Sequence, residues 1–185
     1  MSAFDHFTDR YFRQYIPEDS RSLVIDFFIV FSRFEYALKA TGFTNGNEDG
    51  VSANWDTFAA SIRGSFQADK TPELRTAVGY LHNSPPRKQI LEGSGILGWA
   101  PRIPGDSLPL INELSLSIRT IRNNLFHGSK FQEILPEGHD RDRRLLRSSM
   151  IVLEECLRLA PNVRERFFSE IPDVLDAPPG EAIHA

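Results

Sequence analysis

Residues 24–38 read VIDFFIVFSRFEYAL, and this stretch decides the fold. Val24, Phe27, Phe28, Phe31, Phe34 and Leu38 recur at steps of three and four, which lays them along one face of a helix. Pro17, Glu18, Asp19 and Ser20 offer a cap before it and Gly42 a stop after it, so the spacing predicts a helix over 19–41. The same period returns downstream. Residues 54–67 carry Trp55, Phe58, Ala59, Ile62 and Phe66 on one side, behind an Asn54 cap. Another helix starts at Thr71-Pro72-Glu73 and ends before Ser84-Pro85-Pro86. A fourth, over 108–127, carries Leu110, Leu114, Ile118, Ile121 and Leu125 and stops at Gly128. A fifth, over 140–159, carries two adjacent lines: Leu145, Val152, Cys156 and Leu159 beside Leu146, Met150, Leu153 and Leu157. A short helix over 162–170 precedes a tail rich in proline and glycine. Residues 42–53 read as a polar loop, and 87–107 as irregular with a short helix at 87–91. With no alternating β pattern of useful length, the expected class is all-α: a single-domain antiparallel bundle of four to six helices over residues 1–175, with a flexible tail at 176–185.

Composition narrows the function. At 185 residues the chain is about one domain, and 41% hydrophobic with 25% charged residues is ordinary for a packed protein. No apolar run approaches the roughly 20 residues that cross a bilayer, and no signal peptide is visible, so a cytoplasmic protein is expected. The single cysteine, Cys156, excludes an intrachain disulfide and argues against a thiolate metal site. A net charge of -4 and a pI near 5.7 exclude a generally basic nucleic-acid coat, so contact with nucleic acid needs a local patch. Phosphate-loop, dinucleotide, HExxH and nucleophile-elbow patterns are absent, and neither metal nor cofactor is expected.

The segment Ser117–Lys130, SIRTIRNNLFHGSK, stands out. Two adjacent asparagines are poor helix formers placed in the last turns of a good helix. Arg119, Asn123 and His127 are spaced by four and share a face, and Arg122 can bend toward it. Arginine offers a planar fork of donors that matches phosphate. Histidine moves protons near neutral pH, and a helix C-terminus favours its charged form. Glu35 sits within the apolar stripe of the first long helix, four after Phe31, so its carboxylate needs a partner. The expected partner is Arg122 or Arg119.

Arg122-Asn123-Asn124-Leu125-Phe126-His127-Gly128 resembles the Rx4–6H signature of the HEPN superfamily in its RN-x-x-x-H form. The early helix with Phe31-Ser32-Arg33-Phe34-Glu35-Tyr36-Ala37-Leu38 is similar to the first helix of free-standing members, and the resemblance covers about residues 20–160. A second spacing match, Arg75 and His82, lacks the following asparagine and glycine and is assigned to chance. The resemblance implies a compact helical bundle and a metal-independent endoribonuclease, a toxin or phage-defence effector acting on RNA. Attack of a ribose 2′-hydroxyl on the adjacent phosphate would leave a 2′,3′-cyclic phosphate. Arg122, Asn123 and His127 are then the catalytic candidates, Arg119 and Lys130 further RNA contacts, and Glu35 a support. It also implies a homodimer through the RNNLFHG face and a cognate antitoxin or partner protein. Some members carry a tyrosine two residues after the histidine, a target for modification; Ser129 stands there in this chain. The alternative is a non-catalytic HEPN module that binds RNA, nucleotide or a protein partner.

Overall fold

The computed structural model describes residue 10 and residues 18–93, 95–101, 108–126 and 136–169. Over these the chain runs α1 (Glu18–Ala40), β1 (Thr44–Asn47), β2 (Gly50–Ala53), α2 (Trp55–Ile62), α3 (Pro72–Asn83), β3 (Lys88–Leu91), β4 (Leu97–Ala100), α4 (Leu110–Phe126), α5 (Pro136–Leu159) and α6 (Pro161–Phe168). The protein is mostly helical, with two small antiparallel hairpins. Among the described residues no helix is long and apolar enough to cross a membrane. The tail at 176–185 lies outside them.

The α1 stripe closes on α2. Phe27, Phe31, Phe34 and Leu38 are each at most 3% exposed. Full burial of such a side chain stabilises by roughly 1.5–3 kcal/mol. The Trp55 ring stacks on Phe34 at 5.1 Å and on Phe31 at 5.4 Å, while Phe58 meets Phe34 edge-on at 5.4 Å. Phe28, expected on the buried stripe, is instead 47% exposed, because it stands about 100° round the helix from the Phe27–Phe31–Phe34 line. Gly42 ends α1 at φ +90°, where Phe43 N–H donates to Leu38 O at 3.0 Å and Gly42 N–H to Lys39 O at 3.4 Å. That is a Schellman closure, which favours glycine. Asn54 caps α2 by accepting from Thr57 N at 3.0 Å, and Thr71 caps α3 by accepting from Leu74 N at 3.1 Å. α2 stops at Ile62, shorter than the expected reach to 67.

Ile111, Leu114, Ile118 and Ile121 seat α4 in the core, and both lines of α5 contribute buried residues. α3 packs along α5, and α1 lies against α5 and α6. Glu155 of α5 is 3% exposed and accepts from Lys70 Nζ at 2.8 Å, which ties the entry to α3 onto α5.

The strands correct the all-helical expectation. Residues 42–53 hold β1 and β2, paired from Thr44↔Ala53 to Asn47↔Gly50, where a loop was expected. The helix expected at 87–91 is a strand, β3, paired with β4 from Lys88↔Ala100 to Leu91↔Leu97. Neither hairpin follows the alternation that betrays a half-buried strand. All of β1 is exposed, and β3 presents only Ile90 and Leu91 as apolar residues, adjacent rather than alternate. Gly46 makes the first hairpin possible: at φ +128° a side chain there would collide with Gly50 O. Asn54 Nδ2 donates to Asn45 Oδ1 at 2.7 Å, so the α2 cap also anchors β1.

Candidate functional site

α4 is a regular helix whose apolar stripe faces the core, so Arg122 and Asn123 emerge one step beyond the buried Ile121, near its C-terminal end. Arg122 Nη2 donates to Glu35 Oε2 of α1 at 3.2 Å, and its Nη1 donates to Asn123 Oδ1 at 2.9 Å. The guanidinium carbon lies 5.1 Å from the centre of the Phe31 ring, within cation–π range. The other Glu35 oxygen accepts from Trp55 Nε1 at 3.0 Å. Three helices therefore converge: α1 with Phe31 and Glu35, α2 with Trp55, and α4 with the Arg122–Asn123 pair.

The physical logic is mutual satisfaction. A carboxylate four residues after Phe31 enters an apolar stripe, and a partly buried indole N–H needs an acceptor. Each answers the other, and the second carboxylate oxygen takes the arginine. Aromatic stacking under the guanidinium and hydrogen bonds on two of its sides hold its plane in one orientation. The pair is not sealed. The Arg122 side chain is 34% exposed and Glu35 27%. Removing Glu35 therefore costs less than the roughly 3–5 kcal/mol of a fully buried pair.

The expectation that Glu35 pairs with Arg122 or Arg119 is met by Arg122. Arg119, one turn earlier, approaches Asp56 at 3.9 Å, and Asp56 is 80% exposed. That is a weak surface contact. His127 and Lys130 lie outside the described residues, so the convergence of Asn123 with His127 rests on the sequence spacing alone. The adjacent asparagines divide two tasks. Asn123 is exposed and accepts from Arg122, whereas Asn124 is 5% exposed and its Nδ2 donates to Arg87 O at 2.9 Å. Asn124 thus fastens the approach to β3 onto α4.

The spacing match Arg75–His82 is not one site. Arg75 Nη2 reaches back to Asp69 O at 3.5 Å, while His82 Nδ1 lies 3.2 Å from Glu113 on α4. Sequence reasoning missed Trp55 as part of the cluster. The signal was available, since an indole on the core face of α2 needs an acceptor and Glu35 was the misplaced carboxylate. What the sequence could not provide was the packing of α2 against α1. Compared with models of known families, with curated proteins and with solved structures, the chain matches none.

Proposed function

We propose that this protein is a metal-independent endoribonuclease of the HEPN kind. The observation that supports the reading is Arg122: the arginine of the RNNLFHG string is held in plane by Glu35 and Asn123, over Phe31, while staying reachable from solvent. A preoriented, partly exposed guanidinium suits a phosphate that gains charge during reaction. In the proposed reaction the 2′-oxygen forms a bond to phosphorus and the bond to the 5′-oxygen breaks. A base takes the 2′-hydroxyl proton and an acid gives one to the leaving oxygen. His127 carries the acid–base role, Arg122 holds the phosphate, and Asn123 orients it. Arg119 and Lys130 extend contact to the RNA. Cleavage at an internal bond leaves a 2′,3′-cyclic phosphate and a 5′-hydroxyl. One motif supplies one imidazole, so two chains joined through their RNNLFHG faces would provide acid and base together. The biological setting proposed is a toxin or defence effector in the cytoplasm, restrained by a partner protein.

The test is labelled RNA incubated with pure protein in EDTA. Cleavage is expected, and His127→Ala should slow it at least about a hundredfold, the scale of losing an acid–base group. Full activity of His127→Ala, or activity lost in EDTA and restored by magnesium, overturns the reading. Mixing wild type with excess His127→Ala tests the composite site: activity should fall below the count of wild-type chains. A second reading has its own support. Arg122 already engages Glu35 and Asn123, as in a module that binds RNA, nucleotide or protein without cutting; saturable binding with no cleavage would favour it.

A further inference from the structure

α3 and α5 run antiparallel, with Lys70 meeting Glu155 at one end and Arg141 Nη2 donating to Pro85 O at 2.8 Å at the other. Between them lies a groove of about 610 Å³, within the range of small-ligand sites. It shares no residue with the Glu35–Arg122 cluster and does not depend on the ribonuclease reading. Its lining follows helix periodicity on both walls: Glu73, Thr76 and Tyr80 from α3, and Arg144, Arg147, Ser148 and Ile151 from α5.

The chemistry is graded along the groove. At one end, where Tyr80 and Arg144 line the groove, the Arg144 guanidinium stands 5.8 Å from the centre of the Tyr80 ring, within cation–π range. One helical turn along α5, about 5.4 Å, come Arg147 and Ser148. Arg147 is exposed and makes no ion pair among the described residues. Ser148 makes no side-chain hydrogen bond among the described residues, unlike its neighbour Ser149, which donates to Leu145 O at 2.7 Å, so the Ser148 hydroxyl is left open to the groove. A hydroxyl that opens onto the groove with no protein partner, beside a guanidinium that pairs with no carboxylate, is a waiting anion contact. Carboxylates bracket this cationic centre. Asp140 pairs with Arg144 at 3.1 Å beyond the Tyr80 end, and Glu73 stands at the opposite end. A polyanion laid along the groove would meet negative charge at both ends, and a second phosphate would meet Glu73.

We propose that this groove is a binding site for a free nucleoside monophosphate, with its base against Tyr80 and its phosphate on Arg147 and Ser148. With Arg144 already paired to Asp140, Arg147 selects one phosphate, the aromatic end selects a planar base, and the helical turn between them leaves room for the ribose.

The test is calorimetric titration of the full chain with AMP. Saturable binding at one site per chain is expected. Arg147→Ala should weaken it at least about tenfold, as should removal of the phosphate in adenosine or of the base in ribose 5-phosphate. ADP should bind more weakly than AMP. Arg147 is exposed, so its replacement leaves the fold intact, which circular dichroism checks. Arg122→Ala should bind AMP as wild type does, which separates this site from the proposed nuclease centre. No saturable heat with millimolar AMP, equal binding by Arg147→Ala, or binding of single-stranded oligoadenylate but not AMP would each overturn the proposal.

Discussion

Glu155 and Glu35 both enter apolar helix faces, and they are treated differently. Glu155 on α5 is 4% exposed at its side chain and is held by Lys70 at 2.8 Å, with Arg158 at 3.7 Å. Glu35 on α1 is 27% exposed and is held by an indole and a guanidinium. Lysine is a flexible point charge that can cover a carboxylate from any direction. Trp55 and Arg122 are rigid and planar, so they fix the direction of the carboxylate and of the arginine as well. The first arrangement closes a gap between helices. The second presents an oriented cation at the surface. The contrast assigns Glu155 to stability and Glu35 to positioning.

The largest stability effect should come from Glu155. Glu155→Ala removes a charged hydrogen bond at a buried position and should lower unfolding free energy by about 1–3 kcal/mol, with half-exposed Lys70 recovering water. Urea denaturation measures this, and a loss under about half a kcal/mol would erase the contrast. Glu35→Gln should cost less, about 1 kcal/mol, because the amide oxygen can still accept from Trp55. On the proposed ribonuclease reading it should also lower the turnover of RNA cleavage about tenfold while leaving KM within about twofold. A change confined to stability would make Glu35 a second staple.

The smallest effect belongs to pH. Burial, with the Glu155 charge beside it, pushes the Cys156 thiol up to about 12. An unfolded chain loses that proton near pH 8.5. The folded state therefore holds the proton more tightly, so this contribution is complete below about pH 8 and declines as pH rises from there toward 12. By pH 9 the loss should be under about 1 kcal/mol, and Cys156→Ala should remove that part of the slope. An unchanged slope in Cys156→Ala would show that the alkaline loss comes from other groups.

Much of this was legible in the sequence. Apolar steps of three and four located every long helix, and Asn54, Thr71 and Gly42 marked ends that the structure places as read. The carboxylate inside the α1 stripe announced a partner on another helix, and Arg122 is that partner. The hairpins were hidden because their strands bury no continuous face, and alternation arises only where one face is covered. Trp55 was read as core, which it is, but its second task depends on how α2 packs on α1. The α3–α5 groove was hidden for the same reason: Arg144 reads as part of a charged helix start until Tyr80 is brought beside it.

The most direct test of the account compares two variants at one bond. Single-turnover cleavage of a labelled RNA in EDTA should be at least about a hundredfold slower for Arg122→Ala, because the phosphate loses its oriented cation. Glu155→Ala, measured per folded molecule, should match wild type. Arg122→Ala cleaving at the wild-type rate, or both variants losing activity equally, would contradict it.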